Sequence, residues 1–217
     1  MDIVIVGAGG HGKVVLDILQ AQGQVRPVGF VDADTSIAGT RVGGLPVLGP
    51  INLLPRLRQQ KIAGAIVAIG DNRTRMRYAT ILREHGFELI NAIHPAACIS
   101  PTATIGQNIT IAARAVICTD AKIEDSVIIN TAAVVDHECI VEQGSHICPG
   151  VNLGGRVRIG AGAFVGLGAN IIQCLSVGQQ AIIGAGATVI RDIPDHATAV
   201  GVPARVIKVD AVAEALA

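Results

Sequence analysis

Residues 99–189 read ISPTAT IGQNIT IAARAV ICTDAK IEDSVI INTAAV VDHECI VEQGSH ICPGVN LGGRVR IGAGAF VGLGAN IIQCLS VGQQAI IGAGAT V. An Ile, Leu or Val opens every group of six, at sixteen successive positions from Ile99 to Val189, with no insertion. In a chain that is roughly one third Ile, Leu and Val, chance yields such a run on the order of once in a hundred million trials. A period of six fits neither an amphipathic helix at 3.6 nor a half-buried strand at 2. It fits a short strand plus a corner, three of which close a triangular coil of about 18 residues. The stretch therefore predicts a left-handed parallel β-helix. The first position of each hexad points into the prism, and the fifth, often Ala (Ala103, Ala115, Ala121, Ala133, Ala163, Ala169, Ala181, Ala187), fills the space beside a corner.

The chain has 217 residues, so the hexads leave room for a second unit. We read two domains, an α/β unit over residues 1–92 and the coil with a C-terminal tail over 93–217. Half the residues are hydrophobic, yet aromatics are 2 % and Trp is absent, as a thin prism requires. Net charge is zero with no basic block, which gives no support to nucleic acid or an anionic membrane as partner. No apolar run approaches a membrane span, and the N-terminus lacks the pattern of a signal peptide, so a cytoplasmic protein is expected. Five cysteines without a Cys-x-x-Cys pair argue against a disulfide framework and a zinc ribbon.

Residues 2–6 (Asp-Ile-Val-Ile-Val) read as a buried strand. Gly7-Ala8-Gly9-Gly10-His11-Gly12 follows, then a helix from about Lys13 to Gln22. The glycines at 7, 9 and 12 match G-x-G-x-x-G between strand and helix, where backbone amides and the helix dipole attract phosphate. A strand from Pro27 to Val31 ends at Asp32, about 20 residues beyond the glycines, where an acid can meet a ribose or base. Leu45–Leu48 and Ala63–Ile69 read as strands, Asn52–Gln60 and Arg73–His85 as helices, and Phe87–Asn91 as a last short strand. About 90 residues hold little more than one mononucleotide-binding half, so one nucleotide fits better than a dinucleotide. Gly70 opens a second turn at the carboxyl end of a strand, where open α/β sheets place ligands.

Within the coil, His137 falls at the third hexad position and His146 at the sixth, both predicted to point outward. An imidazole titrates near neutrality and suits proton transfer. Nine residues is half a coil, so one chain cannot bring both histidines to one ligand. Three prisms packed side by side can, with His137 of one subunit across a cleft from His146 of its neighbour. A catalytic zinc needs three protein ligands, and neither His94, before the coil, nor His196, at its end, supplies a convincing third. His85 reads as helix surface.

These residues resemble the left-handed β-helix acyltransferases, and among them the nucleotide-sugar N-acetyltransferases with an α/β N-terminal domain. The resemblance is to the bacillosamine-pathway and perosamine enzymes and, more loosely, to the sialic acid O-acetyltransferases. It rests on Gly-Ala-Gly-Gly-His-Gly-Lys at 7–13, Ile-Gly-Asp-Asn at 69–72, Ile-His-Pro at 93–95, Ile-Ser-Pro at 99–101, His-Glu-Cys at 137–139, His146, and Val-Gly-Val-Pro-Ala-Arg at 200–205. The resemblance implies His137 as general base, Glu138 as the carboxylate that polarises it, and the Gly155 amide as oxyanion donor. It implies His146, Leu167 and Ala185 as contacts to acetyl-CoA. Gly9, Gly10, His11, Asp32, Ala33 and Gly70 match its sugar-nucleotide positions. It further implies a homotrimer, a nucleotide-linked 4-amino-4,6-dideoxy sugar as acceptor, and acetyl-CoA as donor with no metal. Direct attack needs no acyl-enzyme, although Cys139 is a nucleophile beside the base.

Asp136 flanks His137 on its other side and is an alternative orienter of the ring. A sugar O-acetyltransferase, a metal-dependent hydrase on the same coil and a non-catalytic nucleotide-sugar binder are the competing functions. The Ala-rich tail after Lys208 carries no recognisable site.

Overall fold

The computed structural model describes residues 1–210. Its N-terminal unit contains β1 (Asp2–Val6), α1 (Gly10–Gln22), β2 (Arg26–Val31), β3 (Arg41–Val42), β4 (Leu45–Gly49), α2 (Leu54–Gln59), β5 (Gly64–Val67), α3 (Asn72–Glu84) and β6 (Glu88–Leu89). They form a sheet ordered β3-β4-β2-β1-β5-β6, parallel except where β3 turns back on β4. The β-branched run Ile3–Val6 is wholly buried because helices cover both faces of the sheet. Val15, Leu16, Ile18 and Leu19 of α1 pack with Ile3, Ile5, Phe30 and Ile66 on one face. On the other, Leu54 and Leu57 of α2 and Tyr78, Ala79 and Leu82 of α3 pack on Val4, Val6 and Val31.

Several boundaries differ from the sequence reading. Helix α1 starts at Gly10, inside the glycine motif, because the turn is made by Gly7 at φ +106. A Cβ on Gly12 would lie 2.2 Å from the Gly7 carbonyl oxygen, so only hydrogen fits where the helix crosses the loop. The predicted helix from Asn52 to Gln60 is a 3-10 turn, Ile51–Leu53, followed by α2, with Pro55 in the helix's first turn. The last predicted strand shrinks to Glu88–Leu89, since Ala92–Ile93 already pair with the coil at Thr110–Ile111.

From Ala92 onward, two-residue strands repeat every six residues and assemble into three parallel sheets. Each strand is bonded to its counterpart one coil later, so that Val116 N donates to Ala133 O and Cys118 N to Val135 O, each at 2.9 Å. The hexad-opening residues stack in columns, Ile111-Ile129-Ile147-Val165-Ile183 in one sheet and Ile117-Val135-Leu153-Ile171-Val189 in the next. Ile123-Val141-Ile159-Val177 forms the third. The coil is the left-handed β-helix that the ladder predicted. Its corners turn at the fourth hexad position, which has positive φ at every repeat from Asn108 to Gly186. The strands Ala197–Val200 and Arg205–Val209 form an antiparallel pair at the C-terminal end, which the hexad pattern does not announce. The residues of the Ala-rich tail beyond 210 lie outside the described part.

Three corners divide the labour of the prism. Residues 106–108, 124–126, 142–144, 160–162 and 178–180 form the corner on which the α/β unit sits. Arg75 of α3 is the chief fastener. It is 0 % exposed and has no carboxylate partner among the described residues. Its Nε donates to Ser126 O at 2.7 Å, Nη1 to Ile69 O and Gly70 O, and Nη2 to Gly144 O and to Asn72 Oδ1. Asn72 Nδ2 donates in turn to Gly162 O at 2.9 Å, and the Asn108 side chain accepts from Val67 N at 2.7 Å. Because these carbonyls have no water to replace the guanidinium, Arg75→Met is expected to cost about 3 to 4 kcal/mol of stability. A shift of the urea midpoint at unchanged slope reads it, and a loss below about 1 kcal/mol would contradict this account of the interface.

Candidate active site

Beyond the corner that holds the α/β unit, the second corner follows the sheet of Ile117 and Val135, and it carries His137. Its imidazole is half-exposed, and Nδ1 lies 3.0 Å from Glu138 Oε2. Asp136 Oδ1 accepts from the main-chain N–H of His137 at 2.7 Å. The structure thus separates the two flanking acids: Glu138 meets the ring, and Asp136 holds the backbone. With Nδ1–H given to Glu138, Nε2 is the nitrogen free to accept a proton. That nitrogen lies over Gly155, where a Cβ would stand 2.3 Å from it. The Gly155 N–H donates to no acceptor among the described residues. A basic nitrogen and an unspent amide therefore share one small space, an arrangement suited to acyl transfer.

Glu138 Oε2 also accepts from Arg156 Nε at 2.9 Å, and this hydrogen bond, ahead of that from His137, holds its carboxyl below the usual range. Cys139, next in sequence, occupies a fifth hexad position, is buried, and donates through Sγ to Gly154 O. Burial pushes its thiol up to about 11, which leaves it a protonated core residue.

Leu167 and Ala185 lie one above the other at the third corner, exposed, and their main-chain N–H groups have no acceptor among the described residues. They stand on a different corner from His137 and Gly155 of the same chain. His146 points outward as expected, but it is 9 % exposed because the α/β unit covers it. Its ring lies 6.5 Å from that of His11 and edge-on to Phe164 at 5.3 Å. On its other side His146 Nε2 lies 3.2 Å from Asn130 Nδ2, at the corner that also carries Leu167 and Ala185. His146 Nδ1 and His11 Nε2 are buried with no hydrogen-bond partner among the described residues.

The remaining sequence-predicted residues meet at the carboxyl edge of the parallel sheet. Asp32 Oδ2 accepts from Ala8 N at 2.7 Å and Oδ1 from Asp34 N at 2.9 Å, so it ties the glycine loop to the turn containing Ala33. A Cβ on Gly9 or Gly10 would meet nothing within 4 Å, and no side chain caps α1, leaving that helix start open. Gly70 begins a cleft of about 900 Å³ between α3 and the coil, lined also by Asn72, Met76, Phe164, Ile182 and His196. Among the described residues no three His, Cys, Asp or Glu side chains are grouped to hold a metal, and no helix is long and apolar enough to cross a membrane. Sequence reasoning missed Arg75 and Arg156, and noted Asn72 only as part of Ile-Gly-Asp-Asn at 69–72. Arg156 had one legible signal, its place one full coil after Glu138.

Residues 2–82 match the PglD N-terminal domain family. A point variant of perosamine N-acetyltransferase from Caulobacter crescentus, in complex with CoA and GDP-perosamine, is 44 % identical. It superposes with a TM-score of 0.92 over 97 % of this chain and 98 % of that one. The acetyltransferase domain of PglB from Neisseria gonorrhoeae FA1090, in complex with acetyl coenzyme A, is 40 % identical with a TM-score of 0.89, over 95 % and 98 % of the two chains. A serine acetyltransferase of Bacillus pumilus is 49 % identical over 39 residues, 18 % of this chain and 18 % of that enzyme's length. The chain belongs to the hexapeptide-repeat nucleotide-sugar N-acetyltransferases.

Burial, then the positive charge of Arg75, lowers His11 from 6.5 to about 4; for His146 the same two causes, with His11 third, lower it to about 3. Both are neutral at pH 7. In the unfolded chain they titrate near 6.5. Their contribution to stability is therefore intact above about 6.5 and declines as pH falls from there toward the folded values. Urea melts from pH 7 to 4 should show unfolding accompanied by proton uptake, and His146→Gln should reduce that uptake by about one proton. An unchanged slope would show that His146 is not held neutral.

Proposed function

We propose that the protein transfers acetyl from acetyl-CoA to the 4-amino group of a UDP- or GDP-linked 4-amino-4,6-dideoxy sugar. The observation that carries this reading is His137 Nε2 lying over Gly155 while Nδ1 is engaged by Glu138. The amine attacks the thioester carbonyl as His137 removes its proton, and the Gly155 N–H receives the developing oxyanion. The tetrahedral intermediate collapses with release of CoA thiolate, which takes up a proton. Glu138 keeps the reactive tautomer and offsets the imidazolium charge. The buried, protonated Cys139 supports direct attack over an acyl-enzyme.

The sugar nucleotide is assigned to Gly9, Gly10, His11, Asp32, Ala33 and Gly70. The open start of α1 takes the diphosphate, and the unpartnered His11 Nε2 and His146 Nδ1 await a polar group. Leu167 and Ala185 offer free amides to the pantetheine of acetyl-CoA, with His146 beside the acetyl end. The relatives solved with CoA and GDP-perosamine or with acetyl coenzyme A support both halves of this assignment. Since the base and the CoA amides occupy different corners of one prism, a homotrimer is inferred, each cleft taking His137 from one chain and Leu167 and Ala185 from the next. The domains are read as 1–92 and 93–217. Free cysteines at 98, 118, 139, 148 and 174 support a cytoplasmic setting.

CoA release should require both substrates when UDP- and GDP-linked 4-amino sugars are tested beside sialic acid. Release with sialic acid alone would replace amine transfer by O-acetylation. His137→Ala is expected to lower kcat about 10² to 10⁴ fold with the fold intact, and near-wild-type turnover would remove His137 as base. Of the two acids, Glu138→Ala should lose much more activity than Asp136→Ala. Co-expressed His137→Ala and Ala185→Trp chains, each inactive alone, should recover about a quarter of wild-type activity, because that share of randomly assembled clefts is intact. No recovery in mixed trimers would place the site within one chain.

A further inference from the structure

The fourth hexad position, met once per coil on the corner of the base, is held by Asp120, Glu138, Arg156 and Cys174, at φ 56, 56, 60 and 60. On the other two corners the same position is Gly at 144, 150, 162, 168 and 186 and a side chain at Asn108, Arg114, Ser126, Ala132 and Gln180. Left-handed backbone favours glycine, and from Asp120 to Cys174 the corner of His137 is the one that has none at this position. An exposed ion pair in isolation contributes little to stability, and Arg156 and Glu138 are 62 % and 49 % exposed. What sets this pair apart is its attachment to the base. The Nε of Arg156 donates to the same Glu138 Oε2 that faces His137 Nδ1, while its main-chain N–H makes to His137 O, at 2.9 Å, the ladder bond common to this position. On its far side lies the Cys174 thiol.

We infer that Arg156 is a positioning residue for the base, pinning the Glu138 carboxylate on His137 Nδ1 so that Nε2 stays the free nitrogen above Gly155. The inference rests on the reading of His137 as base. The flat guanidinium sets the direction of Oε2 through its Nε–H, which an ammonium does not reproduce. Its charge also opposes that of Glu138 and limits how strongly the carboxylate holds a proton on the ring. The charged and titratable groups around the dyad are Glu138 and Arg156 at the ring, Asp136 on the His137 amide and facing the Cys118 thiol one rung below, and Cys174 beside Arg156. Removing only Arg156 therefore leaves a negative neighbourhood. The base then gives up its proton at higher pH, and the acid limb of kcat moves upward.

Arg156→Gln, Arg156→Lys and His137→Ala are compared in kcat–pH profiles, KM for acetyl-CoA, and NMR titration of the His137 ring in the two Arg156 variants. Arg156→Gln is expected to lower the plateau of kcat about 3- to 10-fold. It should raise the acid limb and the ring titration together by about half a pH unit, with KM within about twofold. Arg156→Lys should restore the limb and not the plateau. A lowered plateau with limb and ring titration unmoved, or no change in any of them, overturns the inference. If His137→Ala is inactive while Arg156→Gln matches wild type, only the role of Arg156 falls. If His137→Ala retains its activity, the reading of the base falls with it.

Discussion

Everything in this molecule is positioned by the hydrogen bonds that join each rung of the coil to the rung stacked on it. Because the step is constant, residues that share a place in the repeat stand directly above one another, and the sequence is read out as vertical columns. The aliphatic columns close the interior. Outside, the same registration builds the chemistry: Glu138 lies below Arg156, and His137 lies below Gly155, whose missing side chain leaves room for the imidazole. A one-residue slip would turn the inward column out and take His137 and Glu138 off Gly155 and Arg156.

The prism alone is a thin scaffold, and its division into corners separates tasks that a globular enzyme gathers in one pocket. One corner carries the α/β unit, one His137 with Glu138, and one the exposed amides of Leu167 and Ala185. Burial at the first of these has an electrostatic consequence. The Arg75 guanidinium, dry and bonded mainly to carbonyls, sits close enough to His11 and His146 to help keep both imidazoles neutral. Neutral rings with unspent nitrogens suit a polar ligand, where charged ones would bind anions indiscriminately. The packing of the two units and the preparation of the site are thus one event.

Much of this was legible because the hexad ladder has no insertions and because the glycine loop stands between a strand and a helix. The expectation that His137 and Glu138 act together came from the family resemblance carried by His-Glu-Cys at 137–139, since adjacency alone left Asp136 an equal neighbour. The misses have equally plain causes. The coupling of β3 to β4 through Gly43-Gly44 lacks a hydrophobic alternation long enough to register. The strands after Val189 leave the period of six. Helix α1 begins three residues early because the glycines that make its turn also enter its first turn.

The sequence by itself determined the coil, its inward columns and the corner on which His137 stands, since a repeat with one period admits one registration. Only the tertiary structure decided that His146 is buried against His11, that Glu138 rather than Asp136 faces the imidazole, that Arg75 fastens the two units and that Arg156 bonds Glu138. The reason is distance along the chain. Arg75 meets Ser126 and Gly144 across 51 and 69 residues, and no local pattern records a contact made between two units that fold by different periods.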